Sequence, residues 1–100
     1  MGRVTWPAKD PAERFRVRFR FGNRLADGET ITVAMSITVA SGADATPSAV
    51  LDGAVSVSGG DAWQWVKDGV DGTAYAIRAL ATTSTGQKLV AVAILPVNAA

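Results

Sequence analysis

The chain has 100 residues, of which 48% are apolar and 19% charged, with a net charge of +1. That length fits one domain, and the composition excludes a disordered chain and any overall field that would recruit nucleic acid or an anionic membrane. There is no cysteine and no histidine, so disulfides, thiolate chemistry, the commonest general base and the commonest metal ligand are all excluded together.

The opening Met1-Gly2-Arg3-Val4-Thr5-Trp6-Pro7 has no apolar stretch that would make it a secretory signal. Myristoylation would want Ser or Thr where Trp6 stands. No apolar run approaches the roughly 20 residues that span a membrane as a helix. The expectation is synthesis in a host cytoplasm without secretion. Pro7 and Pro11 keep residues 1–12 out of regular structure, so an extended arm is expected there, with Trp6 as an anchor into a neighbouring subunit.

Residues 14–21 alternate without exception. Phe15, Val17, Phe19 and Phe21 fall on one face, and Arg14, Arg16, Arg18 and Arg20 on the other. A period of two means a strand with one buried and one wet face. After a connection rich in turn residues, Gly22 to Gly28, residues 30–39 form a second strand. Ile31, Val33, Met35, Ile37 and Val39 alternate there with small and hydroxyl residues. Residues 40–53 read as turns, followed by a short strand at 54–58 and another at 62–67 that carries Trp63 and Trp65 on one face. Asp68-Gly69 and Asp71-Gly72 mark further turns. Residues 73–83 and 87–97 form a closing hairpin around Thr83-Ser84-Thr85-Gly86.

Short strands separated by turn signals about every ten residues predict an all-β, immunoglobulin- or fibronectin-like antiparallel β-sandwich of about six to seven strands over residues 13–98. Within it, Gly72-Thr73-Ala74-Tyr75 places a tyrosine at the start of the penultimate strand. In such sandwiches a tyrosine there turns its hydroxyl back to an upstream backbone group, and Tyr75 is assigned that structural corner.

Two surface features remain. Four guanidiniums at roughly 6.6–6.8 Å spacing along a strand can meet a partner's carboxylates, or can simply keep an edge strand solvated and unpaired. Nucleic acid is disfavoured, because the phenylalanines of that strand point away and leave the face without an aromatic platform. Trp63 and Trp65 read as core or interface residues, and the alternative is a carbohydrate-binding or adhesion module that stacks sugars on them. The aspartates lie in loops, mostly before glycine, with no calcium-loop spacing. No catalytic, cofactor-binding or metal-binding residues are expected, no cofactor, and no small-molecule or membrane partner.

Three segments carry a resemblance: Lys9-Asp10-Pro11, Leu25-Ala26-Asp27-Gly28-Glu29-Thr30-Ile31, and Gly72-Thr73-Ala74-Tyr75 running to Thr82-Thr83-Ser84-Thr85-Gly86-Gln87 and Leu95-Pro96-Val97. With this order and spacing, residues 9–98 resemble a family of small bacteriophage and prophage structural proteins, the fibre–tail adaptor or head–tail region proteins. The first strand departs from that family's usual aromatic and acidic character. The resemblance implies a non-enzymatic, immunoglobulin-like virion protein that acts as an adaptor at the neck, tail or fibre attachment point. Its partners would be other virion proteins, or further copies of itself in the assembled particle. Trp6, Arg14, Arg16, Arg18 and Arg20 are the candidate contact residues.

Overall fold

A computed structural model describes residues 4–99. The first three residues of the expected arm lie outside the described residues. The strands are β1 (Val4–Thr5), β2 (Phe15–Arg20), β3 (Ile31–Ser41), β4 (Leu51–Ser58), β5 (Asp61–Val66), β6 (Thr73–Thr83) and β7 (Lys88–Val97), with single 3-10 turns at Gly22–Arg24 and Pro47–Val50. They form two sheets, one ordered β1-β7-β6-β3 and the other β2-β5-β4.

This is an all-β sandwich with immunoglobulin strand order. The second, fifth and fourth strands oppose the seventh, sixth and third, and β1 adds to β7 in parallel, with Val4 opposite Ala93. The arm is therefore not simply irregular. Beyond β1, the Lys9 amide donates to the Pro96 carbonyl at 2.8 Å and the Asn98 amide donates to the Lys9 carbonyl at 2.9 Å. Residues 40–53 also hold more structure than their small, turn-like composition predicts. β3 runs on to Ser41, and β4 begins at Leu51 and bulges between Asp52 and Ser56, with Gly53 at a φ of 79° inside the bulge.

Alternation decides what is buried. β2 sends Val17 and Phe19 inward, Phe21 follows fully enclosed, and β6 contributes Tyr75, Ile77, Ala79 and Ala81 from every second position. β7 adds Ala93, Leu95 and Val97, and β5 adds Ala62 and Val66. Aromatic bulk thus enters the core from β2, while alanines supply much of the facing surface of the four-stranded sheet. Removing a ring such as that of Phe19 leaves a cavity and costs about 3–5 kcal/mol.

Two buried polar groups fasten the loops at one end. Tyr75 is fully enclosed; its hydroxyl accepts from the Val70 amide at 2.9 Å and donates to Asp44 Oδ2 at 2.7 Å. Lys9 is also fully enclosed, and its ammonium donates to the carbonyls of Asp68 at 2.6 Å and Asp10 at 3.0 Å. Burial lowers the Lys9 pKa, and the acidic side chains of Asp68, Glu13 and Asp10 oppose that shift.

Candidate protein-interaction site

β2 is an edge strand whose outward positions hold the arginines, and it pairs with β5 in a register that sets Arg16 opposite Trp65 and Arg18 opposite Trp63. Cross-strand partners share a face of the sheet. The two tryptophans therefore lie on the outside with the arginines, and the inward face of β5 is Ala62, Gln64 and Val66. Neither indole is in the core; Trp65 is 39% exposed.

The contacts run diagonally along the ladder. The Arg14 guanidinium lies 4.1 Å from the Trp65 ring centroid, Arg16 lies 4.5 Å from Trp63 and 5.7 Å from Trp65, and Arg18 lies 5.1 Å from Trp63. Planar guanidiniums over indole faces are favourable cation–π contacts, worth about 0.5–1 kcal/mol each at exposed sites. Arg14 crosses the middle strand to reach Asp52 on β4, with Nε 2.5 Å from Oδ2, and Arg18 comes within 3.8 Å of Asp61. The Arg14 hydrogen bond is the main reason the Asp52 carboxyl is held below the usual carboxylate range. Among the described residues Arg16 meets no carboxylate; two rings are its partners. The expected absence of an aromatic platform is thus corrected, because the platform comes from the neighbouring strand and not from β2.

The remaining candidates sit around this face or apart from it. Arg20 is exposed at the end of β2 and lines a cleft of about 290 Å³ together with Val4, Trp6, Arg18 and Arg24. Trp6 lies against Phe19 of its own chain, with ring centroids 5.3 Å apart and planes at 59°, and it also lines a second cleft of about 410 Å³ with Glu13, Phe15 and Arg16. Tyr75 is inside the sandwich and takes no part. Asp52, Asp61, Trp63 and Trp65 are the members of the face that a strand-by-strand reading does not assemble.

The buried Gln64 explains why β5 turns this way. Its amide nitrogen donates to the carbonyls of Gly53 and Trp65, each at 3.0 Å, so it supplies a partner for the β4 bulge. The face as a whole is a row of cations stacked on two indoles, with Asp52 and Asp61 beside them. Among the described residues no group of three or more acidic side chains could hold a metal ion.

No curated protein and no solved structure matches the chain. A family model described as podophage GP4 fiber-tail adaptor protein gp77 matches residues 9–96, from the buried lysine to the penultimate residue of β7, and the chain belongs to that family.

Proposed function

We propose that this chain is a non-catalytic structural component of the virion, held at the neck, tail or fibre attachment point by contacts between proteins. The arginine–tryptophan face of the three-stranded sheet is the surface that meets its neighbour. The observation that carries the reading is the arrangement of Arg14, Arg16 and Arg18 over Trp63 and Trp65. Interfaces favour arginine and tryptophan, and stacking on rigid rings holds the guanidiniums in place before a partner arrives. An acidic protein surface fits this face, because Arg16 lies between the two ion-paired arginines with rings as its partners and keeps its charge for a carboxylate to meet. Sugar stacking on the tryptophans is disfavoured by the guanidiniums that already lie over both rings.

Particles assembled with the Arg16→Glu, Arg18→Glu double variant should incorporate the chain about tenfold less well than wild type, at unchanged circular dichroism. Cross-links from the wild-type chain should run to tail or fibre proteins. A chain missing from purified wild-type particles, or incorporation indifferent to the reversal, defeats the proposal. Retardation of DNA by the wild-type chain at physiological salt would move the face to a nucleic-acid role.

A further inference from the structure

The two sheets treat their edges differently. β2 is guarded by arginines, whereas β3, the edge of the four-stranded sheet, has eleven residues with neither a charge nor a proline. Soluble proteins ordinarily protect such an edge with lysine, proline or a bulge, because its unpaired amides and carbonyls invite another strand. β3 is irregular only where its register with β6 shifts, between Val39 and Ser41. Beyond the buried Ile31, its inward residues Val33, Met35, Ile37 and Val39 stay half-buried, although Tyr75, Ile77, Ala79 and Ala81 beside them on β6 are sealed. Across the sandwich on this side, β4 leaves Val57 41% exposed. β3 is thus an uncharged, hydrogen-bond-free edge whose inward side chains are incompletely covered, although β4 and the turn at Pro47–Val50 lie against it on this flank.

The regular part of the strand is close to a palindrome. Residues 33–39 read Val-Ala-Met-Ser-Ile-Thr-Val, centred on Ser36. An isologous contact requires a surface that complements itself under a two-fold rotation. We propose that a second copy of this chain pairs with β3 antiparallel, β3 to β3, about an axis through Ser36. In that register Val33 faces Val39 of the second copy and Met35 faces Ile37, two apolar pairs that extend the cover of these half-buried side chains. On the outer side Ala34 faces Thr38, and Ser36 faces its own equivalent, so no charge or bulk opposes the approach. The two four-stranded sheets become one of eight strands. The contact is independent of the arginine–tryptophan face, which lies on the other sheet.

Ser36 points outward, so charging it leaves the core intact. Sedimentation of the full chain at micromolar concentrations should show a dimer. Ser36→Lys and Ser36→Glu should each weaken it about tenfold or more, since like charges then meet across the axis. An equimolar mixture of the two variants should recover the dimer, with circular dichroism the same for all three proteins. A wild-type monomer overturns the proposal, as does a dimer that both substitutions leave unchanged or one that the mixture fails to recover.

Discussion

The tyrosine corner allows a magnitude to be worked from geometry. Replacing Tyr75 by Phe keeps the ring and the packing of a fully buried side chain and removes only the hydroxyl. The Val70 amide then loses the acceptor it holds at 2.9 Å, and Asp44 loses a donor at 2.7 Å. An unpaired amide at a part-buried site costs about 1 kcal/mol or somewhat more. The Asp44 carboxylate is half-buried and retains the Thr46 amide at 2.8 Å, so water can take the place of the phenol there. The expected loss is about 1–2 kcal/mol, which for a domain of this size lowers Tm by roughly 5–15 °C. Urea unfolding followed by circular dichroism gives the free energy, and the slope with denaturant should not change. A loss below about 0.5 kcal/mol would show that the hydroxyl is as well served in the unfolded chain, and would refute the assignment of the corner as a fastening.

Two further outcomes follow from the same contacts. Hydrogen bonds to Glu29 (chiefly from the Thr85 hydroxyl), Asp44 (chiefly from the Thr46 amide) and Asp52 (chiefly from Arg14) hold all three carboxyls below their ordinary pKa. The unfolded chain therefore takes up protons first, near about pH 4, so stability present above that range is lost as pH falls through the folded-state values. Tm measured over an acid series should fall there and the Tyr75→Phe variant should fall less; a wild-type Tm that rises on acidification contradicts the assignment. Glycine substitutions should separate strain from crowding. Gly28→Ala, at a φ of 77° with open space around it, should cost about 1 kcal/mol. Gly42→Ala, at a φ of 87°, would bring its Cβ within 2.9 Å of the Gly72 carbonyl and the Thr73 Cα, and should cost roughly 3 kcal/mol or more by thermal denaturation. Equal losses at the two sites would show that the Thr73 strand end simply yields.

The fold was legible because most strands have one apolar and one polar set of positions. β2 is the clearest case, since phenylalanine and arginine leave no doubt about which side is buried. β5 was not legible in the same way. Both of its sets contain apolar residues, and the bulkier one, Trp63 and Trp65, reads equally as core or interface. What the pattern does not carry is non-local: Gln64 lies inward, where its amide meets the Gly53 carbonyl at the β4 bulge, and the tryptophans lie outward. Period alone assigns residues to two faces and cannot say which strand will lie beside which. The joint face of arginine and tryptophan therefore exists only once β2 and β5 are in register. The start of β4 was hidden for a related reason, because Asp52-Gly53 looks like a turn and is used as a bulge. β1 is two residues long and carries no periodicity to read.

The parallel pairing of β1 with β7 has a mechanical consequence. The two strands run in the same direction, so tension applied between the two ends of the domain pulls them past each other lengthwise. The bonds from Trp6 to Ile94, Lys9 to Pro96 and Asn98 to Lys9 are then loaded together in shear, and do not open one at a time as they would in a peeled hairpin. The buried ammonium of Lys9, tied to the carbonyls of Asp10 and Asp68, sits beside the same seam and must be extracted before it slides. A domain pulled in this way between a tail and a fibre would hold until several bonds fail at once.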